Sequence, residues 1–406
     1  MKKLLIVGAS AKEYVLAKKL KDYEVIVAPG NRRISDIVKC VDIREDNVDE
    51  ILKYVIEEQI DLTVVSSHKA IENDIVSLFQ ANEQAVFAPT LSSAECTLYR
   101  SISKKLLYKL RIPSPHFGVF EKSQAVYDYL KKAPMPQAIY SDSELGDKLV
   151  CTTYLTAKNY VDELFSRGEQ KIVLEDYVYG HEFTFYVVTD GYHVVPITSV
   201  ANYKFMENGD GGLFTNGVGA YAPDYKISNE IEDYIMNKVV TPVLNKLQEN
   251  EKTYLGILGV DCVMTNDNKV VTLGFKNFLS DCDAQAVINL IDEDLVSLFE
   301  ACINGSFEDY KNIKTKDLAS VSCVISSRQK DKVINGLDIV ENDITPFDIP
   351  QNEYFEYKTI AGKNIVITAS AKTLSRARKN LYDDISQINF EGIKFRSDIC
   401  EQVEKF

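Results

Sequence analysis

Residues 202–223 read Asn202-Tyr203-Lys204-Phe205-Met206-Glu207-Asn208-Gly209-Asp210-Gly211-Gly212-Leu213-Phe214-Thr215-Asn216-Gly217-Val218-Gly219-Ala220-Tyr221-Ala222-Pro223, and five of the chain's 19 glycines fall inside them. Glycine lets a backbone take positive φ and come close to a ligand, with amide N–H groups free to cradle an anion. Lys204 and Asp210 add one charge of each sign. The same composition suits a long hairpin connection, so the surroundings must decide between a ligand loop and a turn.

Upstream, residues 172–182 form an extended run with carboxylates where it meets a turn, and 183–188 and 192–200 continue a mainly antiparallel sheet. Downstream, 227–247 has helical spacing with Pro242 inside it, which predicts a kink. Residues 257–264 and 270–275 read as a hairpin across Thr265-Asn266-Asp267-Asn268, and 286–304 as a helix.

At the start, the apolar run 2–7 ends in Gly8 and is followed by helical spacing over 11–20. Further strands are expected at 24–28, closing in Pro29-Gly30-Asn31, at 62–65 and at 85–88, with helices between them. That alternation predicts a doubly wound parallel sheet. A dinucleotide fingerprint is missing, because Ala9, Ser10, Ala11 and Lys12 follow Gly8. Residues 94–110 read as one basic amphipathic helix with Lys104 and Lys105 on a solvated face, ending before Ile112-Pro113. Toward the end, 319–326, 354–359 and 364–368 are β-like and 374–388 is helical. The expected fold class is α/β and multidomain: an N-terminal doubly wound parallel sheet over 1–93, a central α+β domain over 94–316 and a small β-rich C-terminal domain over 317–406.

With 46 Lys+Arg against 60 Asp+Glu over 406 residues, the net charge of −14 argues against a nucleic-acid or anionic-membrane partner and leaves room for a local basic pocket. Residues 1–8 read as a strand rather than a signal peptide, and no apolar run approaches membrane-span length, so a cytoplasmic protein is expected. The eight cysteines lie far apart with no C-x-x-C pair, the pattern of buried thiols and not of a zinc site or disulfide framework.

Several local strings add a more specific signal: Gly8 to Glu13, Pro29-Gly30-Asn31, Asp61-Leu62-Thr63-Val64-Val65, Leu174-Glu175-Asp176 with Gly180-His181-Glu182, and Lys204, Asp210, Gly212, Thr215, Gly217, Gly219, Ala220 and Tyr221 in the glycine-rich stretch. Asn335-Gly336-Leu337 and Arg396-Ser397-Asp398-Ile399 close the set. In this order they resemble the phosphoribosylamine–glycine ligase (glycinamide ribonucleotide synthetase) family of the ATP-grasp superfamily, over essentially the whole chain. The resemblance makes 94–316 an ATP-grasp domain with a nucleotide-binding subdomain at about 115–188. It implies a purine-biosynthetic reaction in which ATP phosphorylates the glycine carboxylate and phosphoribosylamine attacks the acyl phosphate, with Mg2+ or Mn2+ neutralising the triphosphate.

Carried over residue by residue, the resemblance implies ATP contacts at Lys104, Lys148, Glu175, Asp176, Tyr177, Val178 and Glu182. It implies catalytic roles for Lys204 and Asp210, and substrate contacts at Gly8, Lys12, Glu13, Asn31, Gly212, Thr215, Gly217 and Gly219. The metal positions do not match. Where the family has Glu-Phe-Asn, this chain has Gly274-Phe275-Lys276, so no metal ligand pair is intact. Asp261, Asp281 and Asp283 are the carboxylates that could be recruited instead. Tyr140 stands where the family has a phosphate-contacting lysine, Ser143 and Leu149 where it has glycines, and Glu144 and Asp147 add negative charge. Ser66-Ser67-His68 replaces Gly-Pro-Glu. Three readings follow: a ligase with impaired activity, a catalytically inactive relative that binds a metabolite or serves as a scaffold for a partner the sequence does not identify, and an ATP-grasp ligase with changed substrates.

Overall fold

The computed structural model describes residues 1–142 and 148–405. Its first layer comprises β1 (Lys3–Gly8), β2 (Glu24–Pro29), β3 (Lys39–Cys40), β4 (Leu62–Val65) and β5 (Val86–Phe87), in the order β3-β2-β1-β4-β5 with every pair parallel. These strands are continuous apolar runs because both faces are covered. Leu4, Ile6, Val27 and Val64 pack with the helix Ala11–Lys19 on one side. Leu5, Val7, Ile26 and Val65 pack with the helices Val48–Glu58 and Ile75–Ala81 on the other. The strand order reverses between β1 and β4, so the loops after them, carrying Ser10 and Ser66, flank the crevice where such sheets hold ligands.

A second, antiparallel sheet has the order β6-β9-β7-β8, from β6 (Phe117–Phe120), β7 (Gln137–Ser141), β8 (Lys148–Cys151) and β9 (Ile172–Asp176). Ile139, Ile172 and Leu174 bury one of its faces against Val126, Leu130, Val161 and Leu164 of two helices.

The third sheet comprises β10 (His181–Thr189), β11 (Val194–Glu207), β12 (Gly211–Ala222), β13 (Gly256–Met264), β14 (Val270–Lys276), β15 (Ala319–Ser327), β16 (Asp343–Pro346), β17 (Gly362–Ala371) and β18 (Ile393–Lys394). Its order is β14-β13-β10-β11-β12-β15-β17-β16, with β18 on β15. The C-terminal strands therefore extend the central sheet through the β12–β15 pairing instead of building one of their own.

Several expectations are corrected. The glycine-rich stretch is the hairpin β11–β12 around a turn at Asn208–Asp210 and not an irregular loop. The Phe205 and Phe214 rings meet at 5.5 Å across the two strands. The expected helix over 94–110 is two, Leu91–Leu98 and Arg100–Lys109, broken where Tyr99 is extended. Lys104 is fully buried rather than solvated, while Lys105 is exposed.

Residues 286–304 likewise divide, into Asp283–Ile288 and Leu295–Asn304, because Asp294 caps the second helix by accepting from the Val296 and Ser297 amides. Residues 354–359 make no strand, only isolated bridges at Tyr357 and Lys358. The distortion expected at Pro242 takes the form of a π-helical segment, Met236–Val240, just before it, where the ring blocks regular i→i−4 bonding. Seven of the cysteines are buried and Cys40 is half-buried. No helix among the described residues is long and apolar enough to cross a membrane.

Candidate functional site

The edge where the three sheets meet carries the charge. In β14, residues 274 and 276 share a face because side chains alternate along a strand, and Asp261 of β13 pairs opposite Gly274 on the neighbouring strand. Lys276 reaches back across that face: its Nζ lies 3.0 Å from Asp261 Oδ1 and 3.4 Å from Asp283 Oδ2, with Thr184 Oγ1 at 3.2 Å and Ser280 Oγ at 3.3 Å. Lys204 of β11 stands on the other side, 3.6 Å from Asp261 Oδ2 and 3.5 Å from Glu182 Oε2.

Burial alone would raise the Asp261 carboxyl, but Lys204 and Lys276 outweigh it and hold the group well below the carboxylate range. Burial would likewise lower Lys276, and Asp261 and Asp283 more than reverse that. Asp283 is fully engaged, with Asn202 Nδ2 donating to Oδ1 at 2.7 Å and the Tyr186 and Ser280 hydroxyls donating to Oδ2, each at 2.6 Å. Asp281 turns away and accepts from the Lys12 amide at 3.1 Å and the Ser10 hydroxyl at 3.2 Å.

Arg100 occupies the space beside Gly274. A Cβ there would stand 2.6 Å from Arg100 Nη1. Arg100 is a residue the sequence reading missed, although its spacing of four from Lys104 puts both on one helix face. Its guanidinium grips Glu175 through Nε–Oε1 at 2.6 Å and Nη2–Oε2 at 2.9 Å, and Lys104 Nζ reaches Glu175 Oε2 at 3.1 Å. Burial would raise the Glu175 carboxyl, yet Arg100 and Lys104 keep it below its ordinary value. Burial pushes Lys104 down to about 8, against the pull of Glu175. Arg100 also lies over the Tyr140 ring, 4.1 Å from its centroid.

Three spaces result. A cavity of about 310 Å³ is lined by Lys12, Lys148, Lys204, Thr215 and Lys276 from the expected set, together with Arg100, His68 and Tyr140. Lys148 is nearly buried, its Nζ 4.3 Å from the Phe214 ring centroid and 5.2 Å from that of Tyr140. His68 is pushed down to about 3 by burial and by Lys12. A wider cleft of about 690 Å³ runs along the hairpin and is bordered by Lys204, Asp210 and Arg396. Glu175, Asp176, Tyr177, Val178 and Glu182, five of the residues expected to hold ATP, border a narrow recess of about 10 Å³ that shares Tyr140, Lys148 and Leu273 with the first cavity and Tyr177 and Glu182 with the wider cleft.

The structure does not bring the other expected residues to the cavity. Lys104 is locked inside on Glu175 and the Leu273 carbonyl. Glu13 is buried, accepting from the Ser10 amide at 2.6 Å and from the Ser66 hydroxyl. A Cβ at Gly8 would fall 2.5 Å from that carboxyl. Asn31 caps the turn after β2 by accepting from the Arg33 and Ile34 amides and ties it to Ala9 through Nδ2. Asp210 pairs with Arg396 at 2.7 Å, and Gly212 lies at the hairpin tip. Gly217 packs beside the Asp281 carbonyl, and Gly219 admits Ile399. Of the departures, Ser143, Glu144 and Asp147 lie outside the described residues.

The donor set does not fit a divalent cation. An ammonium already stands between Asp261 and Asp283, a guanidinium covers Gly274, and among the described residues no group of three His, Cys, Asp or Glu side chains could hold a metal ion.

Comparison with known proteins agrees with the architecture. The family model of the phosphoribosylglycinamide synthetase ATP-grasp (A) domain matches residues 99–284, so the chain is an ATP-grasp protein. The model of the same synthetase's N domain matches residues 2–96. The chain belongs to the phosphoribosylamine–glycine ligase family. A relative of that name from Clostridium acetobutylicum is 28% identical over 414 residues, covering 98% of this chain and 99% of the relative. The crystal structure of phosphoribosylamine–glycine ligase from Thermotoga maritima superposes with a TM-score of 0.82 at 20% identity, over 98% of this chain and 100% of that one. The biotin carboxylase domain of Hydrogenobacter thermophilus 2-oxoglutarate carboxylase, in complex with MgADP, has a TM-score of 0.72 at 12% identity, over 97% and 91%. At that identity the likeness is one of fold alone.

Proposed function

We propose that this chain is a phosphoribosylamine–glycine ligase relative that no longer transfers a phosphoryl group and instead binds a small anionic metabolite. One observation carries the reading: at a position where the resemblance expects a metal ligand, the Lys276 ammonium stands 3.0 Å from Asp261 and 3.4 Å from Asp283. Arg100, gripped by Glu175 and stacked on Tyr140, stands over Gly274, the other such position. Phosphoryl transfer is mostly positioning and charge neutralisation. A chain that does not neutralise the triphosphate with a metal lacks the second contribution.

What persists is the 310 Å³ cavity with Lys12, Lys148, Lys204 and Lys276 in its wall, a basic pocket in a chain of net charge −14. The ligand classes in keeping with the family are phosphorylated or carboxylated small molecules, and the setting in keeping with its biosynthetic relatives is the cytoplasm. The test is a combined assay of phosphate release and glycinamide ribonucleotide formation with ATP, Mg2+, glycine and phosphoribosylamine. No product above the enzyme-free rate is expected. Turnover abolished by Lys204→Ala would mean a working ligase and overturn the proposal.

A further inference from the structure

We infer that the Lys276 ammonium is a built-in cation between Asp261 and Asp283, and that the adjoining cavity takes a small phosphate- or carboxylate-bearing anion by direct contact with lysine, without a metal ion. The inference rests on the reading that the chain transfers no phosphoryl group.

Four oxygens surround Nζ at 3.0–3.4 Å, from Thr184 on β10, Asp261 on β13, Ser280 in the following loop and Asp283 at a helix start. Each is itself held. Thr184 Oγ1 lies 2.6 Å from Asp261 Oδ1, and Asn202, Tyr186 and Ser280 fix Asp283. Such a shell is that of a coordinated cation, but this one is tethered to β14 and cannot dissociate. Mg2+ sits about 2.0–2.1 Å from its oxygen ligands, so it could enter only by expelling Nζ.

On the opposite wall of the cavity, Lys148 has no carboxylate partner among the described residues. Lys148 is 8% exposed and lines the wall. Among the described residues its Nζ meets only aromatic faces, those of Phe214, Tyr140 and Tyr177, and no carboxylate within ion-pair distance. An ammonium has three donors, and cation–π contact satisfies none of them as a hydrogen bond. The carboxylates in the same wall are already taken: Asp142 by the amide and hydroxyl of Ser101, Asp281 by Ser10 and the Lys12 amide. A bound anion would supply the missing acceptor.

The test titrates the full chain with Mn2+, followed by electron paramagnetic resonance, and with inorganic phosphate or malonate by calorimetry, in EDTA and in Mg2+. The expected result is no stoichiometric Mn2+ site and an affinity for at least one anion that changes less than twofold between the two conditions. Phosphate alone, malonate alone or both tells which chemistry the cavity selects. Lys276→Asn frees both carboxylates and should create one Mn2+ site and make anion affinity rise at least tenfold with Mg2+, whereas Lys276→Arg should stay metal-indifferent. If Lys276→Asn does not fold, the wild-type titrations still decide. A stoichiometric Mn2+ site in the wild type, Mg2+-dependent anion binding, or no binding of either anion overturns the inference. Metal-indifferent binding together with ligase turnover would instead defeat the proposed function and leave the built-in cation standing.

Discussion

Arg100 and Glu175 face each other as a buried two-pronged pair, at 2.6 and 2.9 Å, with Lys104 adding a third contact at 3.1 Å. Two cations against one carboxylate is a costly arrangement in a low-dielectric interior, tolerable only while the carboxylate is ionised. Glu175→Gln strands both cations and should lower stability by about 3–5 kcal/mol, read from urea denaturation. A loss under 1 kcal/mol would mean that the three groups are not coupled.

Lys148 sets a pH dependence for anion binding. Burial pushes it down to about 8, Glu182 opposes, and Lys204 and Arg100 add to the depression. Tyr140, Tyr177 and Phe214 face it as rings. The group is a cation below about pH 8 and neutral above, so phosphate affinity should be full below that value and fall as pH rises through it. Lys148→Arg stays protonated throughout and should flatten the profile between pH 7 and 9, measured by calorimetry. An unchanged slope in that variant would assign the titration elsewhere.

The hairpin tip is tied to the C-terminal segment. Arg396, nearly buried, donates to Asp210, twice to Asp398 and to the Phe205 carbonyl, while the Gly209 amide donates to Asp398. Removing the buried partner should cost far more than removing the exposed one: about 3–5 kcal/mol for Arg396→Ala and below about 1 kcal/mol for Asp210→Asn. Hydrogen exchange at the amides of 208–212 should rise strongly in the first variant and little in the second. Equal effects would deny that Arg396 is the anchor.

Gly219 offers a steric test of why the hairpin is glycine-rich. A Cβ there would meet Ile399 Cδ1 at 2.2 Å, an overpacking worth about 1–3 kcal/mol. Gly219→Ala should be destabilising, and Ile399→Ala should relieve part of that loss in a double-mutant cycle. Additive losses would contradict the close approach.

The alternation of apolar runs and helical spacing made the parallel sheet legible, because strands buried on both faces leave uninterrupted apolar strings such as Leu4 to Val7. The hairpin of 256–276 was legible from its turn residues. The glycine-rich stretch was not, since glycine content reads the same whether it serves a ligand or a close contact such as that of Gly219 with Ile399. Lys104 as a buried group was equally hidden: its partner Glu175 lies 71 residues away, and no local pattern announces a long-range ion pair. The exchange of charge at 274 and 276 was visible in the sequence. That Arg100 covers the first position, and that Asp261 and Asp283 close on the second, needed the fold.

The most direct test of the central claim is equilibrium binding of ATP to the full chain by isothermal titration calorimetry, with and without Mg2+. With an ammonium between Asp261 and Asp283, no saturable nucleotide site that tightens with Mg2+ is expected. Saturable binding of MgATP, lost when EDTA is added, would contradict the account.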